Sequence, residues 1–195
     1  MIKNKVIDEI QKNNGISIEK FITICLFDNE GYYYTSKPLG KSGDFITSPE
    51  ISQLFGEILG LYIYCLWHDK YRVNFNLIEL GPGKGTLLAD ILRITKTLDS
   101  FHNYLNVHLI EKNKHLIDKQ KQNLSLKNFE KINFQWHDDF KNISKRPSII
   151  FANEFFDCLP IRQFIKKNNK WYEKSIKKNN INKFEFVNVI TNIKN

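Results

Sequence analysis

Phe75-Asn76-Leu77-Ile78-Glu79-Leu80-Gly81-Pro82-Gly83-Lys84-Gly85-Thr86 decides how the rest of this 195-residue sequence is read. The first half is a short apolar run with the length of a buried parallel strand. The second half places three glycines at alternate positions, which permits a sharp turn and lets another group approach bare backbone. A helix is expected from Thr86 to about Thr97, with Leu87, Leu88, Ile91, Leu92 and Ile94 as its apolar face. Strand, glycine turn and helix in that order form the opening unit of an open α/β sheet.

Downstream, the same grammar repeats. Val107–Ile110 reads as a second strand ending at Glu111, residues 113–123 as a helix, Ile132–Trp136 as a third strand and Ser148–Ala152 as a fourth. This order implies parallel strands joined by right-handed crossovers. Ligands of such sheets bind beyond the carboxyl ends of the strands. The rule gathers Gly81–Gly85, Glu111, Asp138 with Asp139, and Asn153 with Glu154 into one candidate site.

Upstream, Val6, Ile7 and Ile10 fall on one face of a helix over Ile2–Asn13, which Asn14-Gly15 ends. Ser17 is expected to cap a second helix carrying Phe21, Ile22, Cys25 and Leu26. Residues 29–44 read as an ordered loop, with strand character around Tyr32–Thr35. Ser48 as N-cap, Pro49 and Glu50 start a helix running to about His68, with Ile51, Leu54, Phe55, Ile58, Tyr62 and Leu66 at helical spacing. After Pro160, Gln163–Lys166 and Trp171–Ser175 read as strands joined by an Asn168-Asn169 hairpin turn, and Phe184–Ile190 as a further strand. Three segments follow: 1–72, a helical and loop segment covering the ligand site; 73–160, the Rossmann-like core; and 161–195, a β-hairpin region on the substrate side.

Composition narrows the class. The chain is 42% hydrophobic with a net charge of +8 and a pI of about 9.3. That suits a domain with a real core rather than a disordered chain. The lysines are scattered, so no nucleic-acid partner is expected. Cys25, Cys65 and Cys158 form no CxxC pair and read as buried, inert thiols; the five histidines lack metal-ligand spacing, so no metal is expected. The charged N-terminus resembles neither a signal peptide nor a presequence, and the apolar stretch Leu54–Trp67 contains Glu57 and is too short to span a bilayer. A soluble cytoplasmic protein is the expectation. Oligomeric state is not legible.

The glycine turn narrows the ligand. It reads GxGxG, not the GxGxxG of dinucleotide folds, and Pro82 removes an amide that a phosphate cradle would use. A P-loop would carry Ser or Thr directly after Lys84, where Gly85 stands. S-adenosylmethionine has no phosphates, and Glu79 can meet its ammonium group. Glu111 is placed to take the ribose hydroxyls, and either Asp138 or Asp139 the adenine amino group. The bland reading is a plain strand-to-helix turn and a solvated acid at a strand end.

Four stretches also resemble the MidA-type family of methyltransferases. They are Gly31–Tyr33; Gly43-Asp44-Phe45-Ile46-Thr47-Ser48-Pro49-Glu50-Ile51-Ser52-Gln53-Leu54-Phe55-Gly56-Glu57; Glu79–Leu87; and Asn153-Glu154-Phe155-Phe156-Asp157-Cys158-Leu159-Pro160-Ile161-Arg162-Gln163-Phe164. The resemblance implies a class I (Rossmann-like) S-adenosylmethionine methyltransferase fold. It implies Glu79, Gly81, Pro82, Gly83, Gly85, Thr86 and Leu87 as the cofactor segment, with Thr47 in a loop folding over the methionine end beside Asp44, Glu50 and Gln53. Mitochondrial members methylate an arginine of a respiratory complex I subunit and assist assembly of that complex, so a protein substrate is implied. For a guanidinium acceptor, Glu154 and Asp157 beside Asn153 are the candidate catalytic groups, with Phe155 and Phe156 as its wall or simply as core. Members of this family are longer, so the sequence is expected to be a C-terminally truncated form with an incomplete parallel sheet. The alternative is an inactive remnant that keeps a cofactor- or partner-binding surface.

Overall fold

The computed structural model describes residues 2–35, 43–70, 72–98, 100–126, 129 and 132–192. In chain order the elements are α1 (Ile2–Asn13), β1 (Ile16–Ser17), α2 (Ile18–Phe27), α3 (Tyr32–Thr35), α4 (Ser48–Ile51), α5 (Gln53–Lys70), β2 (Phe75–Leu80), α6 (Thr86–Thr95), β3 (Leu105–Ile110), α7 (Lys114–Ser125), β4 (Asn133–His137), β5 (Ser148–Ala152), β6 (Phe164–Lys167), β7 (Lys170–Lys178) and β8 (Phe184–Thr191). They group into two compact units, Leu39–Asp157 and the combined ends Met1–Pro38 and Cys158–Asn195.

The central unit is a parallel sheet of order β4-β3-β2-β5. Every residue of β2 is buried, as its unbroken apolar run requires. The side chains of β2 alternate between two faces. Phe75 and Leu77 join Val107, Leu109 and residues of α5 and α6 in the main core, whereas Ile78 and Leu80 pack with Ile110 on the opposite face. The expected α/β fold is therefore present, with strands at Phe75–Leu80 and Ser148–Ala152 as read from the sequence.

The helix expected from Ser48 to His68 is corrected by the structure. Thr47, not Ser48, is the N-cap of α4, and the chain breaks at Ser52 (φ −143°, ψ 124°) before α5 continues to Lys70. The buried face of α5 is also not the one that apolar spacing suggests. Gly56, Gly60, Ile63 and Trp67 of α5 face inward, whereas its Leu54, Phe55, Ile58 and Tyr62 are exposed, as is Ile51 of α4 by 72%. The physical reason is close helix approach. A Cβ on Gly56 would lie 2.6 Å from the Asp90 Cβ, and one on Gly60 would lie 2.7 Å from the Ile94 side chain and 3.0 Å from the Ile91 backbone. α5 meets α6 through its small residues, and Cys65, expected to be buried, is exposed.

The second unit is an antiparallel sheet in which β7 pairs with β1, β6 and β8. Val6, Ile10, Ile16, Ile18, Ile24 and Ile176 form its core. The Ser17 hydroxyl caps α2 by accepting from the Lys20 amide, as expected. Asn168 (φ 47°) and Asn169 (φ 57°) form the left-handed two-residue turn read from the sequence. The strand character expected at Tyr32–Thr35 is corrected: this is the short helix α3. The amides of Tyr34 and Thr35 both donate to Gly31 O, and the Tyr33 ring stacks on Phe27 at 5.3 Å. These local bonds outweigh the strand preference of tyrosine. Residues 36–42 of the loop read over 29–44 lie outside the described residues.

The α5–α6 contact yields a direct test. Gly60→Val should destabilise the protein by about 1–3 kcal/mol, because the added methyl groups meet α6 backbone. Urea denaturation measures the change, and an unaltered midpoint would contradict the packing.

Candidate functional site

Strand register builds the site. Leu80 pairs with Ile110 and Ala152, and Ile110 pairs with His137. The next residue on each strand is Gly81, Glu111, Asp138 and Asn153. Four of the sequence-derived positions thus leave the sheet in one row, which at the usual strand spacing is roughly 14 Å across. β3 and β4 lie to one side of β2 and β5 to the other, so the row straddles the switch point where open α/β sheets bind ligands.

The glycine turn has left-handed backbone at Gly81 (φ 61°), Gly83 (φ 56°) and Gly85 (φ 78°). Gly81 is bare for an internal reason, since a Cβ there would lie 2.4 Å from the Phe155 ring. Phe155 therefore packs on the turn, and Phe156 is 66% exposed. Pro82 is buried, and its carbonyl accepts from the Gly85 amide at 2.8 Å, closing the turn. Gly85 is the N-cap of α6 but has no side chain to cap with.

Side chains from two helices clamp this turn. From α7, Gln120 donates to Gly83 O and Asn123 to Lys84 O, both at 2.8 Å. From α4, Glu50 accepts from the Thr86 hydroxyl at 2.8 Å and from Lys84 Nζ at 3.1 Å. Neither Gln120 nor Asn123 stood out in the sequence. The usable signal was their position one helical turn apart on the helix following Glu111. Leu87 lies in the core beneath the turn.

Glu79 is the electrostatic anomaly. It is 3% exposed, at the end of the row formed with Leu77 and flanked in register by Leu109 and Phe151. Its Oε2 is buried without a hydrogen-bond partner. Burial pushes its carboxyl up to about 8, so the proton is retained near neutrality. Glu111 is also pushed up by burial, opposed by the Asn113 and Lys112 amides and the Gln120 side chain. Gln120 thus lies near both Glu111 and the glycine turn.

The remaining candidates sit less deeply. Asp138 is exposed. Asp139 accepts from the Lys141 amide at 2.8 Å and caps a short 3-10 turn, Phe140–Asn142; that bond holds its carboxyl below the usual range. Thr47 makes no side-chain capping bond. Asn153 is half-buried, and Glu154 and Asp157 are exposed, Glu154 with left-handed backbone (φ 48°). His137, which precedes the two aspartates, pairs with His108 at 2.9 Å. Among the described residues, no group of three or more His, Cys, Asp or Glu is placed to hold a metal ion, and no helix is long and apolar enough to cross a membrane.

Residues 58–194 match the family described as "Putative S-adenosyl-L-methionine-dependent methyltransferase". The chain belongs to this family. It is 38% identical over 186 residues to the human "Protein arginine methyltransferase NDUFAF7, mitochondrial", covering 85% of this chain and 42% of that protein. The bovine protein of the same name is 36% identical over 189 residues, covering 86% and 43%. The chain therefore spans less than half the length of these curated relatives. A Burkholderia thailandensis protein crystallised with S-adenosyl-homocysteine superposes with a TM-score of 0.77 at 21% identity, covering 96% of this chain and 49% of that one. That likeness supports the class I methyltransferase fold.

The burial of Glu79 has a pH consequence. Its folded-state pKa of about 8 lies above the ordinary 4.5, so its burial is tolerated fully below about pH 4.5 and costs stability as pH rises through 8. Glu79→Gln should remove that loss. In urea titrations at pH 5 and pH 8.5, the drop in wild-type stability should exceed that of the variant by a few kcal/mol, on the order expected for such a shift. Equal drops would mean that Glu79 is not buried as a protonated acid.

Proposed function

We propose that this chain binds S-adenosylmethionine at the row of strand ends and serves as the cofactor half of a protein arginine methyltransferase. One observation carries the reading. A buried carboxyl with an unpartnered oxygen, Glu79, lies directly before a left-handed glycine turn at the switch point of a parallel sheet. Such an oxygen is costly unless a ligand group meets it. The ammonium group of S-adenosylmethionine meets that need, and the residues present fit the molecule.

In this reading Glu79 receives the ammonium end, directly or through water. The backbone of Gly81–Gly85, with Pro82, Thr86 and Leu87 supporting it, passes close to the ligand. Glu111 takes the ribose hydroxyls, and Asp138 the adenine amino group. The Asp139 carboxylate is committed to its own turn, which leaves Asp138 the freer acid. Thr47 lies beside the methionine end. When bound, the cofactor supplies an electrophilic methyl group carried on a sulfonium. The chain's own contribution is alignment of the two reactants, for which up to about 7–11 kcal/mol is available in well-oriented systems.

The named relatives support an arginine of a protein as the acceptor class; a subunit of respiratory complex I as the substrate and assembly of that complex as the role rest on the family resemblance of the sequence. Asn153, Glu154 and Asp157 follow β5 and would hold the guanidinium through charge-assisted hydrogen bonds. A second reading has a specific observation behind it. The exposed apolar side of α5 favours a chain that binds cofactor and a partner without turning over by itself.

Calorimetry with S-adenosylhomocysteine tests the binding reading. A saturable heat of binding is expected from the wild-type chain, and its absence at high micromolar ligand would refute cofactor binding. Gly83→Val should abolish the signal, because valine is strained at φ 56° and fills the approach to the turn. Glu111→Ala should weaken binding by about 1–3 kcal/mol; wild-type affinity there would move the ribose site elsewhere.

A further inference from the structure

We propose that Glu50 is a positioning residue for the glycine turn, its carboxylate bridging the two residues that flank Gly85 and holding the turn open for the cofactor. This rests on the binding reading above.

The geometry separates Glu50 from an ordinary first-turn acid. Such an acid commonly serves the amides of its own helix. Both oxygens of Glu50 are instead engaged away from α4, Oε1 by the Thr86 hydroxyl and Oε2 by Lys84 Nζ. The side chains of Glu50 and Lys84 are only 20% and 28% exposed, so the pair is partly shielded from solvent. Burial alone would raise the Glu50 carboxyl, yet the bonds from Thr86 and Lys84 hold it below the ordinary range.

The turn needs an outside hold. Gly81, Gly83 and Gly85 each gain left-handed backbone from glycine, and the same freedom makes the segment costly to fix in one shape. Gly85 as N-cap offers α6 no side chain, and Glu50, through its bond to Thr86, places an anion at that helix start. The opposing hold comes from Gln120 and Asn123 on the carbonyls of Gly83 and Lys84. The turn is thus gripped by carbonyls on one flank and by side chains on the other. Removing Glu50 releases one flank and leaves β2 beneath it intact.

Glu50→Gln and Glu50→Ala test this in two ways. In the ligand-free chain, amide hydrogen exchange of residues 81–86 should accelerate about tenfold while β2 is unchanged. Calorimetry should show S-adenosylhomocysteine bound about tenfold more weakly by Glu50→Gln, consistent with loss of a charge-assisted bond, with the thermal midpoint nearly constant. Exchange and affinity equal to wild type would overturn the proposal, as would acceleration spread equally over β2 and the turn, which marks a merely structural residue. If Glu50→Ala fails to fold, the isosteric Glu50→Gln decides. If the wild-type chain itself takes up no S-adenosylhomocysteine, the cofactor reading falls, and the exchange pattern alone decides whether Glu50 grips the turn.

Discussion

Backbone hydrogen bonding between β2 and its two neighbours holds the candidate site together. Leu80, Ile110, His137 and Ala152 stand side by side because the four parallel strands share one register. A slip of one residue in any strand would turn its side chains to the opposite face. For β2 such a slip would move Glu79 out of the apolar row of Leu77, Leu109 and Phe151. It would also move the glycine turn out of reach of Gln120. Register is secured by burial: β2 has no solvent face to which a slipped strand could be tolerated.

The same burial creates the chemistry. A carboxyl at the end of an apolar row is expensive when charged and unpartnered. At Glu79 the fold holds the carboxyl protonated near neutrality, with Oε2 unpartnered, and surrounds the adjacent turn with satisfied polar groups from α4 and α7. The tension is local, since the Gly83 and Lys84 carbonyls, the Thr86 hydroxyl and the Glu111 carboxylate all have partners.

Much of this was legible from residue order. The strands at Phe75–Leu80 and Ser148–Ala152, the acid after β3 and the Asn168-Asn169 turn follow from local rules of burial, period and backbone preference. What escaped was tertiary. The buried face of α5 differs from the one that spacing suggests because the helix carries apolar residues on nearly all sides, so periodicity has no single answer. The informative feature was the four-residue spacing of Gly56 and Gly60, which marks where another helix comes close. Tyr32–Thr35 is helical and not extended because tyrosine's strand preference is weak beside a turn closed on Gly31. The grip of Glu50 on Lys84 and Thr86 spans more than thirty residues, and no local pattern announces it.

The outward side of α5 gives the molecule a further physical character. Leu54, Ile58 and Tyr62 leave a hydrocarbon stripe in contact with water along a helix whose inner side is fixed by glycines. Because the aversion of water for such a surface strengthens on warming from the cold, the stripe is least adhesive near freezing and gains cohesion toward body temperature. Its neighbour Cys65, exposed on the same helix, offers a thiol on which a reporter dye would register whatever comes to shelter the stripe.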